Sequence, residues 1–204
     1  MSEAKHRRLF ENHLPEKAVD YCYALWQELG FNFRITKKRQ SKYGDYRYDP
    51  TSQSHHISVN HDLNCYAFLV TYIHEVAHKV TFEKHKREVL PHGLEWKHEF
   101  KKLMLPLLRE DIFPMDVLGP LARHMKNPKA TSTSDKALFV ALRNHDKNKS
   151  GLLLKEVETG AKFLFNKKVY RKLEVRRTRS LCELTTNQRK YLISETAPVQ
   201  VFKN

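Results

Sequence analysis

The sequence predicts an α+β protein, because two patterns of apolar residues follow one another along its 204 residues. Apolar residues three and four apart dominate residues 14–29 and 62–84, which is typical of helices. Short runs bounded by turn residues dominate residues 32–60 and 137–193, which is typical of strands. The composition, 40% hydrophobic and 29% charged, is that of an ordinary folded chain and argues against disorder.

The first helix is predicted over residues 14–29, with Pro15 in its first turn and Gly30 at its end. Cys22 falls on the apolar face of this helix, so we expect it to be buried. Three strand-like runs follow and predict an antiparallel three-strand meander: residues 32–39, 43–49 and 55–60.

The most apolar helical stretch covers residues 62–84, and either Asp62 or Asn64 is suited to cap its start. A further helix is predicted from residue 94 to about 105, before Pro106 interrupts the pattern. A short helix is expected around residues 117–125.

The polar segment 127–134 predicts a domain boundary, with one domain at 1–130 and a second at 131–204. Beyond this segment the pattern changes to short apolar runs separated by turn residues. They predict a small β-rich C-terminal module with these strands: 137–143, 152–157, 162–165, 169–175 and 189–193.

The three cysteines, Cys22, Cys65 and Cys182, are far apart and form no CxxC pair. This excludes a disulfide framework and a four-cysteine zinc site, and it favours a reducing, cytoplasmic setting. No run of about 18 uncharged apolar residues occurs, so no membrane partner is expected. The basic N-terminus has no apolar region after it, which argues against a cleaved secretory signal. A monomer is the default expectation.

The chain is strongly basic, with 37 Lys and Arg against 23 Asp and Glu, a net charge of +14. Residues 151–204 alone carry 12 basic and 5 acidic side chains. One interpretation is a surface that contacts nucleic-acid phosphates without sequence specificity, and the other is simply the solvated face of a hairpin. The residues concerned are Lys167, Lys168, Arg171, Lys172, Arg176, Arg177 and Arg179.

Residues 74–78 form an HExxH motif on the predicted helix 62–84. Because residues four apart lie on one helix face, His74 and His78 can bind one zinc ion together. Glu75 points to the adjoining side, where it can act as general base on a water molecule that the metal activates. The apolar neighbours of the motif favour a metal site, since burying two histidines and a glutamate without a partner is costly.

A catalytic zinc needs a third protein ligand, and four downstream residues are candidates: His85, His92, Glu95 and His98. His92 ranks first, because it lies in a turn between Pro91 and Gly93 that can reach over the first helix. Glu95 ranks second, as a carboxylate on a later helix. His85 and His98 are expected to be ordinary surface histidines.

The motif and its downstream segment resemble the SprT-like (Spartan-type) zinc metalloproteases. In that family HExxH is followed by a His-Gly pair, here His92-Gly93, and by an aromatic residue three positions after the glycine, here Trp96. The upstream segments 42–47 and 57–60 fit as well, and the resemblance covers about residues 10–130. It implies a zincin-like core built of the N-terminal helix, the meander, the HExxH helix and the further helix.

The resemblance also implies His74, His78 and His92 as ligands of one zinc ion per chain, with Glu75 as the catalytic base. It implies cleavage of proteins bound or crosslinked to DNA. Many family members end in a zinc ribbon with two cysteine pairs, whereas this chain has only Cys182 in that region. The C-terminal module is therefore expected to resemble a zinc ribbon without its metal.

Two functions follow from the sequence. The first is a zinc-dependent endopeptidase, whose substrate is a protein and whose basic module contacts nucleic acid. The alternative is a non-catalytic nucleic-acid-binding protein that holds a structural metal on the same scaffold. The intact Glu75 favours the enzyme, because a structural site needs no general base. The remaining histidines are expected at the surface or at helix ends: His55, His56, His61, His124 and His145.

Overall fold

The computed structural model of the protein describes residues 3–39, 42–129, 135–147 and 152–202. Within these ranges it is a mixed α+β fold with two sheets, which confirms the predicted fold class. Most of the predicted linker, residues 130–134, lies outside the described residues. No helix in the described part of the chain is both long enough and apolar enough to span a membrane.

The chain divides into two compact units, Met1–Asp146 and Lys147–Asn204. Unit 1 contains six helices and three strands among its described residues. The helices are α1 (Glu3–His13), α2 (Val19–Leu29), α3 (Cys65–His85), α4 (Leu94–Met104), α5 (Met115–Lys126) and α6 (Lys136–Arg143). The strands are β1 (Asn32–Thr36), β2 (Gly44–Asp49) and β3 (Ser54–Asn60). Helix α1 was not predicted from the sequence.

The three strands are present, but the predicted antiparallel meander is wrong. The strand order is β1-β3-β2, with β1 parallel to β3 and β2 antiparallel to β3. Only β2 and β3 form a hairpin. Because β3 is the central strand, β2 lies at one edge of the sheet and β1 at the other. Apolar alternation identifies a strand and its buried face, but it does not specify which strand becomes its neighbour.

Helix α3 runs through the core of unit 1 and is buried on most of its circumference. The Asn64 side chain caps its start by accepting hydrogen bonds from the backbone N–H groups of Tyr66 and Ala67. Asn64 also donates to the Leu142 carbonyl oxygen at 2.8 Å, which ties the start of α3 to the end of α6. The position of the HExxH motif is thus set by a capped and buried helix.

Residues 137–143, predicted as a strand, belong to helix α6. Asp135 caps this helix by accepting from the Leu138 backbone N–H at 3.3 Å, and Leu138, Ala141 and Leu142 are buried. The helix packs against α5, which is why unit 1 ends at Asp146, later than the boundary predicted at 130.

Residues 152–202 of unit 2 form a six-stranded sheet in the order β4-β9-β5-β6-β7-β8, with every neighbouring pair antiparallel. Its strands are β4 (Leu152–Leu153), β5 (Lys162–Phe165), β6 (Lys168–Val175), β7 (Arg179–Leu184), β8 (Lys190–Ser194) and β9 (Pro198–Val201). Strands β7 and β9 were not predicted. Its core contains Leu154, Phe163, Cys182 and Val199.

Candidate metal centre and cleft

Three histidine side chains converge on one point in unit 1. The Nε2 atom of His78 lies 3.1 Å from the Nε2 atoms of both His74 and His92. The His74 and His92 Nε2 atoms are 3.3 Å apart. The three side chains are each half-buried and are close enough to hold a metal ion together. The structure thus brings together the HExxH histidines and the downstream histidine that ranked first.

The spacing of these nitrogens fits a tetrahedral metal site. Nitrogens at about 2.0–2.1 Å from a zinc ion in tetrahedral geometry are roughly 3.3 Å apart. Burial lowers the pKa of His74 to about 2 and that of His78 to about 3, and it also lowers the pKa of His92. The imidazoles are therefore neutral, which is the form that binds metal. Three Nε2 lone pairs directed at one point repel one another without a cation between them, whereas an N–H on one of these atoms makes its contacts hydrogen bonds.

Trp96 supports all three imidazoles. This residue is fully buried in helix α4, and its ring centroid lies 4.6 Å from that of His74, 5.3 Å from that of His78 and 4.8 Å from that of His92. The loop before α4 closes through a hydrogen bond from the Gly93 N–H to the Leu90 carbonyl oxygen, at 2.9 Å. The loop and the indole together direct His92 toward α3.

Glu75 lies beside the three histidines and is only 7% exposed. Strand β2 approaches it so closely that a Cβ atom on Gly44 would lie 2.7 Å from both Glu75 Cγ and Thr71 Cγ2. Only glycine fits at this contact. Burial raises the pKa of Glu75 to about 8, with Asp45 acting in the same direction, while Arg39 and Lys42 act against it.

A cleft of about 980 Å³ opens over this site. It is bordered by strand β2, by helix α3 and by the loop that carries His92. Glu75 and the three histidines all line it, so a bound molecule would reach both the general-base candidate and the histidine cluster.

The structure does not bring the other ligand candidates to the cluster. The Glu95 side chain turns back toward Gly93, since its Oε2 atom is 3.0 Å from where a Gly93 Cβ would be. His98 is exposed on α4, and His85 is the last residue of α3. Within the described residues, the cluster that could hold a metal consists of His74, His78 and His92.

Two residues that line the cleft were not identified from the sequence. The Tyr46 ring lies nearly parallel to that of His78, with 9° between the planes and 6.4 Å between the centroids. Its hydroxyl hydrogen-bonds with His55 Nδ1 at 2.9 Å. His124, expected at the surface, is 3% exposed, and its Nδ1 atom lies 3.2 Å from Asp135 Oδ2.

The sequence does contain a signal that His124 is buried. It falls on the same helical stripe as Val117, Leu121 and Met125, which are all buried in α5. A histidine at that spacing faces the core and needs a polar partner, which Asp135 supplies. For Tyr46 the sequence offered only the strand pattern, because its neighbours depend on how β2 packs against α3.

Lys172 does not belong to a nucleic-acid-binding surface, because it is buried inside unit 2 at 1% exposure. Its ammonium donates to the carbonyl oxygens of Leu154 at 2.7 Å and Val157 at 2.9 Å, and it lies 3.6 Å from Glu195 Oε1. Successive residues of a strand point to opposite faces, so Arg171 is exposed while Lys172 points inward.

The other basic residues of the run are exposed; five of them lie in two groups at the ends of β6, and Arg171 lies on the strand between these groups. Lys167 and Lys168 lie at the start of β6, whereas Arg176 and Arg177 follow its end. At about 3.3 Å per residue, the eight residues of β6 separate the groups by roughly 25 Å. Arg179 lies with the second group, because its carbonyl oxygen accepts the Arg176 N–H at 2.8 Å.

Comparison of the chain with models of known protein families, with curated proteins and with solved structures found no match. The site itself combines three converging imidazoles with an adjacent buried carboxylate, and both line the same cleft.

Proposed function

We propose that the chain is a zinc-dependent endopeptidase with a zincin-like core. The single observation that carries the proposal is the convergence of the His74, His78 and His92 Nε2 atoms within 3.3 Å of one another, beside Glu75. The HExxH helix, the preceding strands and the following helix support the same assignment, as does the resemblance to the SprT-like family.

The donor set favours zinc. Three neutral imidazoles that leave one coordination position open are the ligands of many catalytic zinc sites, whereas calcium and magnesium prefer oxygen ligands. When bound, the metal would supply a Lewis acid that polarises the scissile carbonyl. Trp96 would keep the imidazoles in place, since it contacts all three rings and is itself buried.

Glu75 would move the proton during hydrolysis. Beside the positive charge of a bound metal the raised pKa of Glu75 would fall, so that its side chain is the carboxylate that takes a proton from the attacking water as the water oxygen bonds to the scissile carbonyl carbon. It then gives the proton to the leaving amine nitrogen as the C–N bond breaks. The close contact with Gly44 holds the Glu75 side chain in the position from which it can do both.

Strand β2 would align the substrate. Residues 42–48 all line the cleft. Side chains of a strand alternate between its two faces, so an unbroken run of lining residues is expected when the backbone edge of the strand borders the cleft. Because β2 lies at the edge of the three-stranded sheet, an extended peptide can pair with it across the cleft. Such pairing recognises the peptide backbone, so it places a peptide bond near the histidines with little dependence on sequence.

Metal removal tests this proposal. We expect the zinc-loaded full chain to cleave an unfolded protein, the chelated chain to be inactive, and added zinc to restore the activity. Gel analysis of an unfolded substrate, with the intact products sized by mass spectrometry, provides the measurement. Equal cleavage before and after chelation would contradict a metal-dependent mechanism, and no cleavage by the loaded chain would contradict the protease.

We further propose that unit 2 contacts nucleic acid through the β6–β7 turn, which would bring the protease to DNA-associated or DNA-crosslinked proteins. Three exposed arginines lie together here: Arg176, Arg177 and Arg179. Only Arg176 is near a described carboxylate, 3.5 Å from Glu174. The cluster therefore carries a net positive charge, which attracts phosphates without reading base sequence.

Charge reversal at this turn tests the contact. Changing all three arginines to Glu should weaken DNA binding and flatten its dependence on salt, because fewer counterions are released on binding. The measurement is fluorescence anisotropy with a labelled duplex at several salt concentrations. A matched control reverses Lys167 and Lys168 at the other end of β6. Unchanged affinity of the arginine variant for DNA would show that DNA does not bind at this turn.

A further inference from the structure

One end of the cleft has an aromatic floor. Phe82 lies one helical turn beyond His78 on α3, and Tyr48 lies on β2 opposite it. Their ring centroids are 4.6 Å apart, and both residues line the cleft. This floor lies on the side of the histidine cluster toward the C-terminal end of α3.

Basic side chains border the same end of the cleft. Lys86 follows the last residue of helix α3, and its backbone N–H donates to the Phe82 carbonyl oxygen at 2.7 Å. Its Nζ atom lies 5.6 Å from the centre of the Phe82 ring. Arg87 follows it. Both side chains are exposed, and both residues line the cleft.

The charges along the cleft are unbalanced. Of the described residues that line it, four are Lys or Arg and two are acidic, Asp45 and Glu75. Asp45 already pairs with Lys42 at 2.8 Å, and Glu75 is buried. Among the residues that the structure describes, neither Lys86 nor Arg87 forms an ion pair. The positive charge at this end is therefore available to a ligand.

The nearest carboxylate on α3 does not neutralise this charge. Glu83 accepts a hydrogen bond from the buried Lys79 ammonium at 2.5 Å, and its Oε1 atom lies 3.9 Å from His55 Nε2. Its carboxylate is thus already paired with Lys79, while the side chain remains exposed. A metal held by the three histidines would add further positive charge to the same cleft.

We propose that Tyr48, Phe82, Lys86 and Arg87 form a substrate subsite that binds an acidic side chain of the peptide. This inference rests on the proposed protease function and specifies its substrate class. The aromatic floor packs against the methylene groups of a Glu side chain, while the basic groups bind its carboxylate. The eight residues from His78 to Lys86 span about 12 Å of helix, or roughly three to four residues of extended peptide.

Two peptides that differ only in charge test the subsite. In one peptide, Glu lies three and four residues away from the central peptide bond, on both sides of it. In the other peptide, Lys takes the same positions. Binding is measured by anisotropy with the zinc-loaded Glu75→Gln full chain, so that no turnover occurs. We expect the acidic peptide to bind roughly tenfold more tightly, with the preference falling as salt rises.

Charge reversal of Lys86 and Arg87 to Glu should invert this preference. The matched control is Lys102→Glu, an exposed lysine of α4 that does not line the cleft, and it should leave the preference unchanged. Basic residues at a helix C-terminus also stabilise the helix, but that role alone would not discriminate between the peptides.

Equal affinity for the two peptides, or an equal loss for both after reversal, would overturn the subsite. Binding of a short single-stranded oligonucleotide through Lys86 and Arg87, without binding of the acidic peptide, would overturn it in favour of a phosphate ligand. Charge-selective binding without cleavage by the wild-type chain would support the subsite and contradict the protease. Cleavage by the wild-type chain, with no preference for either peptide, would support the protease and contradict the subsite.

Discussion

Replacing Glu75 with Gln is expected to lower the rate of peptide hydrolysis by about 10²–10⁴-fold, the usual contribution of a general base. The amide has nearly the same shape as the carboxylate but cannot accept and transfer the proton. Glu75 is not among the three residues whose nitrogens converge, so the metal content should not change. The measurement pairs the hydrolysis rate of a quenched fluorescent peptide with metal analysis of the same sample.

A matched control is Glu88→Gln, which removes an exposed carboxylate that follows α3 and does not line the cleft. We expect this variant to keep the wild-type rate. Loss of metal in Glu75→Gln would show that this residue is a ligand and not a base. If the wild-type chain bound metal but hydrolysed nothing, the alternative of a non-catalytic protein with a structural metal would be favoured.

Replacing Lys172 with Met is expected to destabilise unit 2 by about 3–5 kcal/mol, the cost of removing one partner of a buried ion pair. The ammonium is buried between two backbone carbonyl oxygens and Glu195, which is itself only 13% exposed. Without it, both carbonyl oxygens lose their charged donor and the carboxylate loses its counter-charge in a water-poor interior. The buried contacts of Lys172 therefore stabilise a module whose sequence contains no cysteine pair that could bind zinc.

Hydrogen exchange on the full chain measures this effect residue by residue. Amides of β5, β6 and β7 should lose protection in Lys172→Met, whereas amides of α3 should keep theirs. Lys168→Met is the matched control, because Lys168 is exposed on the same strand. Unchanged protection in unit 2 would contradict a structural role for the buried lysine.

Helices α2 to α5 and the histidine motif could be predicted from the sequence because their signals are local. Helix α3 begins after a capping residue, Asn64, and its apolar spacing continues through the HExxH motif. Four-residue spacing places His74 and His78 on one face of any helix. His92 could only be ranked first among several candidates for the third ligand. The ranking depended on its place in a turn between Pro91 and Gly93, from which the side chain can extend over the first helix.

The sheet order and the buried polar groups could not be predicted, because they depend on contacts between distant segments. The strand pattern at 32–60 is equally compatible with a meander and with the observed order β1-β3-β2. Lys172 belongs to a basic run in sequence, and only the packing of Leu154 and Val157 over its face of β6 shows that it points to the interior. Close approach of Gly44 to Glu75 likewise arises from packing.

The incorrect prediction of a strand at residues 137–143 has a local cause. Its run of apolar residues is short enough to be a strand and too short for helical periodicity to be decisive. The Asp135 cap favours the helix, and packing against α5 stabilises it. In this case a capping residue carried more information than the apolar run.

The metal content of the purified full chain, measured by mass spectrometry, tests the central claim most directly. The three-histidine site predicts about one zinc ion per chain in the wild type, loss of that zinc in His92→Ala and its retention in Glu95→Ala. Retention in His92→Ala with loss in Glu95→Ala would show that the third ligand is misassigned. A wild-type chain that binds no zinc after reloading would contradict the metal centre and the proposed protease with it.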